Sequence, residues 1–156
     1  MELDDVFRAH QRSVYAYLLR TVGDERTAEE LTQEAFYRAC VAALRFRGES
    51  SVRTWLFGIA RKVLLEHLRH RARVEPSADP GPAAAEHVEH EDRVDLERAF
   101  ARLSIDDREV LMLVDVLGFE PREAAGTLEI DPGALRVRLH RARRRLRDAY
   151  TGGASG

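Results

Sequence analysis

Residues 121–150 read PREAAGTLEIDPGALRVRLHRARRRLRDAY, and the fold class follows from how this stretch divides. Pro121 behind Glu120 and Pro132 behind Asp131 each mark a helix start, because proline fits the first helical position and aspartate caps it. Two helices separated by a tight turn result. At about 100° per residue, Leu135, Leu139, Ala142 and Leu146 form one apolar stripe on the second helix. Arg136, Val137, His140 and Arg144 point the other way, flanked by Arg138, Arg141, Arg143, Arg145 and Arg147. A solvated helix end also carries cations that suit its dipole. The capped helix upstream favours instead a helix-turn-helix whose arginine helix lies against a polyanion. Ala124, Ala125 and Gly126 are expected to let the second helix cross closely over the first.

The chain has 156 residues, room for one domain or two small ones. Its net charge of −2 hides a segregation. Residues 45–73 hold eight basic side chains against Glu49 and Glu66, a net +6. Residues 74–100 hold eight acids against Arg93 and Arg98, a net −6. Residues 132–150 return to +6, with seven arginines against Asp148. Two basic blocks on either side of an acidic one predict two DNA-facing surfaces and a connector that avoids DNA. The single cysteine, Cys40, excludes an internal disulfide and a multi-cysteine zinc site. It is expected on an apolar face as a small buried hydrophobe. No apolar run reaches the length of a membrane span and MELDDVFRAH is not a signal peptide, so a cytoplasmic chain is expected.

Apolar periodicity predicts helices over Leu3–Val22, about Arg26–Leu44 and about Val52–Arg71, with Gly23-Asp24 as a break and Ser50 or Ser51 capping the third. Residues 74–91 are rich in Pro, Ala and acids, the composition of an extended linker. Helices follow from near Asp92 and over about Asp106–Leu117, where Gly118 stops the second. The expectation is an all-α fold of two small domains. Residues 1–73 form a three-helix-type bundle, 74–91 an acidic flexible linker, 92–150 a domain ending in the helix-turn-helix, and 151–156 a frayed tail.

Three blocks then stand in order: AEELTQEAF at 28–36, FRGESS at 46–51 running into TWLFGIAR at 54–61, and Leu103–Leu111 with RLHRAR at 138–143. Together they resemble the extracytoplasmic-function (ECF) group of bacterial RNA polymerase sigma factors over Leu3–Asp148. The resemblance implies that the first domain is sigma region 2, which holds core polymerase and opens the minus-ten element. The second is sigma region 4, which reads the minus-thirty-five element, and the acidic linker passes near the RNA path. Glu29, Glu30, Gln33 and Glu34 then form the polymerase-docking ridge. Without the resemblance the same ridge reads as a solvated helix face. Arg47, Glu49, Ser50 and Ser51, with Phe46, hold an unstacked base of melted DNA. Arg53, Arg61, Lys62 and Arg69, with Arg71 and Arg73, steady the minus-ten backbone, and His67 and His70 belong to the same basic face. Phe46 serves equally well as a core residue, and Trp55 is expected in the core. Similar proteins often carry asparagine at the position of Lys62 and aspartate at that of Glu66, so the minus-ten preference here is expected to differ.

On the arginine helix, the N-terminal part of a recognition helix enters the major groove. Arg136 therefore suits a bidentate contact to guanine, Val137 a thymine methyl, and His140 a further base. Arg138, Arg141, Arg144 and Arg145 suit phosphates. The resemblance implies core RNA polymerase and promoter DNA as partners, an anti-sigma factor as a further candidate, and a monomer when free. No catalytic residue, cofactor or resident metal is expected. His87 and His90 lie among acids in the linker, without the fixed geometry that a metal site needs. The nearest rival is a helix-turn-helix regulator that does not replace the sigma subunit. Such a protein needs neither the acidic ridge nor the WLFGIAR block.

Overall fold

The computed structural model describes residues 2–74 and 91–154, and among these there are seven α-helices and no strand. The first half holds α1 (Leu3–Val22), α2 (Glu25–Ala42) and α3 (Val52–Val74). The second holds α4 (Glu91–Ala101), α5 (Ile105–Leu111), α6 (Pro121–Leu128) and α7 (Pro132–Ala154). The histidines and acids between residues 75 and 90, including the candidate linker residues His87 and His90, lie outside the described part. No described helix is long and apolar enough to cross a membrane.

Local chemistry sets the boundaries. Gly23 ends α1 with φ 77°, a conformation that costs glycine no Cβ clash, and its N–H donates to Leu19 O at 2.7 Å. Asp24 then caps α2, accepting from Thr27 N at 2.9 Å and Thr27 Oγ1 at 2.6 Å. These bonds from Thr27 favour the ionised carboxylate and hold its pKa below the usual range. Of the two serines before α3, Ser51 is the cap: its Oγ accepts from Thr54 N at 3.1 Å. Ser104 does the same for α5 through Asp107 N at 3.2 Å.

Each half buries the stripe that its periodicity marks. Val14, Leu18, Leu31, Ala35, Leu56, Ala60 and Leu64 close the three-helix bundle. In the second half α7 packs on α4, α5 and α6. Leu135, Leu139 and Ala142 are buried there, and Leu146 is partly buried. Each of the two buried leucines contributes about 1.5–3 kcal/mol by leaving water. The two cores are continuous. Tyr17, Phe57 and Phe119 stack edge to face across the junction, with centroids 5.7 Å and 5.0 Å apart.

Several expectations change. Cys40 is exposed, because Ala39 beside it takes the inward position on α2. The predicted helix over about 106–117 is α-helical only to Leu111. A π-helical turn, Met112–Val116, follows and closes with Leu117 N donating to Met112 O at 2.8 Å. Gly126 faces Thr54 of the first half, 3.9 Å from where its Cβ would stand, while Ala124 and Ala125 are buried as expected. The expected frayed tail is helical for its first four residues, since α7 continues through Ala154 and Thr151 Oγ1 donates to Arg147 O at 3.0 Å.

In the turn between α6 and α7, Glu129 is left-handed at φ 56°, the one described non-glycine residue with positive φ. It lets Ile130 N reach Ala125 O at 3.0 Å and satisfies the end of α6. A side chain in this conformation carries a steric cost that glycine avoids. Glu129→Gly is therefore expected to raise unfolding stability by about 1 kcal/mol, read from urea denaturation. A loss of stability would mean that the Glu129 side chain holds the turn.

Candidate nucleic-acid and polymerase interfaces

The acidic ridge of α2 stands in solvent. Glu29, Glu30, Gln33 and Glu34 are all exposed, while Ala28, Leu31, Thr32 and Ala35 face the core. Arg38 anchors the end of this ridge. Its Nε donates to Glu34 at 2.9 Å, and its two terminal nitrogens grip Glu66 of α3 at 3.0 and 2.6 Å. Arg38 thereby holds the Glu66 carboxyl below the usual range. Glu66 is turned toward α2 and paired there. Farther along the same helix Tyr37 and Val41 are exposed apolar side chains, at 66 and 63 %, and Leu44 in the 3-10 turn Ala43–Arg45 that follows is 97 % exposed.

The loop after α2 leaves Arg47, Glu49 and Ser50 exposed, with Ser51 spent on capping α3. Phe46 is partly buried and packs on Trp55 with centroids 4.9 Å apart. Trp55 is itself only partly buried, at the edge of the core. Lys62 and Arg69 are exposed on α3. His67 on the same helix has its pKa lowered by burial first and by Arg71 second, which favours the neutral imidazole.

Arg53 and Arg61, expected on the same DNA face, are engaged elsewhere. Arg61 Nε donates to Glu109 Oε2 at 3.0 Å. Arg53 meets Glu123 at 3.2 Å and lies over the Phe119 ring, 4.1 Å from its centroid. Both carboxylates belong to the second half. Periodicity cannot see such pairs, since the partners lie 48 and 70 residues apart.

On α7 the side turned away from the core is open. Arg136, Val137, His140, Arg141 and Arg144 are exposed, and Arg138 is partly so. Two of its arginines are held by acids from the neighbouring elements. Arg145 meets both oxygens of the buried Asp107 at 3.0 Å. Arg143 meets Asp115 of the π-helical turn at 2.9 and 2.6 Å, a pairing that raises its pKa. The π-turn thus has a use: its extra residue places Asp115 beside α7. Asp107 falls in the Leu103–Leu111 block and Asp115 outside any block, and neither takes a role from the sequence alone.

Glu109 and Arg108 were missed for the same reason. Glu109 is 1 % exposed, and it accepts from Tyr17 Oη at 2.7 Å as well as from Arg61. Arg108 is 2 % exposed and donates to the carbonyls of Leu103, Ala101 and Thr21, the last ending α1 in the other half. Among the described residues no cluster of three His, Cys, Asp or Glu side chains could hold a metal ion.

A helical pair whose second helix exposes a row of arginines stands beside a three-helix bundle with an acidic ridge, the architecture of a class of DNA-binding transcription proteins. Comparison with known families narrows it. Residues 6–74 match the Sigma-70 region 2 family and residues 93–146 match the Sigma-70, region 4 family. The probable RNA polymerase sigma-C factor of Mycobacterium bovis is 38 % identical, over 90 % of this chain and 79 % of that one. The ECF RNA polymerase sigma factor SigM of Bacillus subtilis is 28 % identical over 99 % of each. Among solved structures, sigma factor RpoE of Bartonella quintana, in complex with the anti-sigma factor NepR, superposes with a TM-score of 0.79. It is 25 % identical, over 95 % of this chain and 96 % of that one. The chain belongs to the ECF group of RNA polymerase sigma factors and is a transcription initiation factor that acts with core polymerase on promoter DNA.

Burial pushes the Glu109 carboxyl up from its ordinary 4.5, with Asp106 adding to the rise and Tyr17 and Arg61 opposing it. Burial and the adjoining Glu109 push Tyr17 well above its ordinary range. Between 4.5 and the raised value the folded chain binds a proton that the unfolded chain releases, so this stabilising contribution is present at low pH and fades as pH rises. Relative to Glu109→Gln, the wild-type chain is expected to lose unfolding free energy as pH rises from 4.5 toward neutral, measured by urea titration at several pH values. The opposite slope would show that Arg61 outweighs the burial.

Proposed function

We propose that this sigma factor grips its promoter at two points. The first half, with residues 1–73, serves core polymerase and the minus-ten element. The second, with residues 92–150, serves the minus-thirty-five element, and residues 74–91 join them. The observation that carries this reading is the division of α7: Leu135, Leu139 and Ala142 are spent on the core, which leaves Arg136, Val137 and His140 as an exposed row. That row lies in the N-terminal part of the helix, the part that enters a major groove in helix-turn-helix proteins.

Arg136 contacts a guanine through O6 and N7, Val137 a thymine methyl, and His140 a further base. Arg138, Arg141 and Arg144 take phosphates, with Arg145 held in line by Asp107. In the first half, Glu29, Glu30, Gln33 and Glu34 dock on core polymerase. Arg47, Glu49, Ser50 and Ser51 form the pocket for an unstacked base, and Arg53, Arg61, Lys62 and Arg69 steady the strand. The Arg38 grip on Glu66 supports an altered minus-ten preference, since a carboxylate so paired is withdrawn from base contact. The chemistry of RNA synthesis belongs to the polymerase, so the chain acts without a catalytic residue, cofactor or resident metal, in the cytoplasm. An anti-sigma factor is a further partner, by analogy with the complex of the Bartonella relative.

The test is promoter selection by the reconstituted holoenzyme over a library of minus-thirty-five variants. Arg136→Ala is expected to lose about 1–3 kcal/mol of discrimination at one base position. Arg141→Ala is expected to weaken all sequences alike and to lower the salt slope by about one. A uniform loss for Arg136→Ala would reassign it to phosphate, and no loss for either would remove α7 from promoter reading.

A further inference from the structure

The promoter grip leaves Arg143 without a part, although its place on α7 suits it for one. Spacings of four, three and four residues put Arg136, His140, Arg143 and Arg147 on one stripe of the helix, and all four are exposed. His140, Arg143, Arg144 and Arg147 line an open cleft of about 440 Å³, room enough for a phosphate group. What Arg143 meets there is a carboxylate of the protein itself, Asp115.

The two acid-paired arginines of α7 are held in different ways. Arg143 turns Nε and Nη2 together to Asp115, donating at 2.9 and 2.6 Å. These parallel donors form an edge with which a guanidinium also grips a phosphate, so that edge is taken. Arg145 uses Nη1 alone for both oxygens of Asp107, at 3.0 Å each, and its Nε–Nη2 edge stays clear of that carboxylate. Burial differs as well. The Asp107 side chain is 4 % exposed, whereas those of Asp115 and Arg143 are 36 and 51 % exposed. An ion pair so open to water adds little to stability, so the fold gives it no strong reason to exist. Asp115 nevertheless sits in the π-helical turn Met112–Val116, an irregularity that recurs at functional sites.

We propose that Asp115 is a positioning residue that withholds Arg143 from the DNA backbone and so limits the number of phosphates that α7 neutralises. The inference rests on the reading of α7 as the promoter-reading helix. A guanidinium already neutralised by a carboxylate releases no counterion from the duplex, so it adds nothing to the sequence-independent hold. Phosphate contacts strengthen every sequence alike, whereas base contacts choose among them. Asp115 therefore keeps the general hold weak and leaves the choice to Arg136, Val137 and His140.

The test is made on the full chain, with a mixed-sequence duplex as the probe and fluorescence anisotropy read at several salt concentrations. Asp115→Asn is expected to steepen the dependence of log affinity on log salt by about one, and to tighten binding on the order of fivefold at about 0.15 M salt. R143Q/D115N is expected to return both to the wild-type values. Arg143→Gln in the otherwise wild-type chain is expected to leave the slope unchanged, because Arg143 neutralises no phosphate there. Asp148→Asn removes an exposed acid of the same helix that pairs with no described arginine, and is expected to move the slope much less than Asp115→Asn does. In the reconstituted holoenzyme, Asp115→Asn is expected to keep the wild-type base preference across the minus-thirty-five library.

A merely structural role for Asp115 predicts weaker binding on its removal, the opposite sign. An unchanged or shallower slope for Asp115→Asn overturns the proposal, and so does an equal steepening by Asp148→Asn, which would reduce the effect to bulk charge. A changed base preference would make Asp115 part of the reading and overturn it too. Should Asp115→Asn lose its helical signal in circular dichroism, Arg143→Gln decides alone: a slope lowered by about one would show that Arg143 already holds a phosphate. Arg141→Ala separates the two levels of the argument. If it lowers the slope while Asp115→Asn does not raise it, only the withheld arginine is lost. If it too leaves the slope unchanged, the DNA role of α7 falls and this proposal with it.

Discussion

A carboxylate taken out of water must be answered by donors, and the position of Glu109 obliges the two halves of this protein to answer it together. Its own half supplies the backbone that carries it inward, and the other half supplies Tyr17 and Arg61. Separated, the halves would leave a carboxylate, a phenol and a guanidinium to water. Joined, they must align to within hydrogen-bond length, which sets the angle at which α1 and α3 meet α5 and α6. The aromatic seam of Tyr17, Phe57 and Phe119 then fills the space that this alignment leaves. Apolar burial supplies the bulk of the attraction, and the polar centre supplies its register.

The same economy of arginine runs through the second half. On α7, Arg143 and Arg145 are tied to Asp115 and Asp107, and the tied residues stand between the exposed ones. Fixing these two side chains reduces the conformational freedom lost when the helix meets a polyanion. It also steadies α7 against α5 and the π-helical turn without using the exposed row at Arg136, Val137 and His140. A uniformly free arginine helix would bind any duplex. Pairing some arginines and burying the leucines beneath leaves fewer free groups on the helix.

Much of this was legible in the residues. The helix starts at Pro121 and Pro132, the break at Gly23, and the burial of Leu135, Leu139 and Ala142 all follow from local rules of capping and period. The exposed ridge of Glu29, Glu30, Gln33 and Glu34 follows from the same period, since Leu31 and Ala35 claim the opposite side. The misreadings share one cause. Cys40, Gly126 and the helix over 106–117 were judged from their neighbours in sequence, whereas their surroundings are set by a turn of helix phase, by Thr54 and by a one-residue insertion in the helical ladder.

By itself, then, the sequence determined the helices, the two apolar cores, the charge blocks and the membership of the sigma family, because each is encoded in residues close together or in an ordered set of short blocks. Only the tertiary structure decided which arginines are free. Arg53, Arg61, Arg143 and Arg145 look no different in sequence from Arg47, Arg69, Arg136 and Arg141. Their state depends on carboxylates that reach them across tens of residues, and Coulomb attraction acts through space and not along the chain.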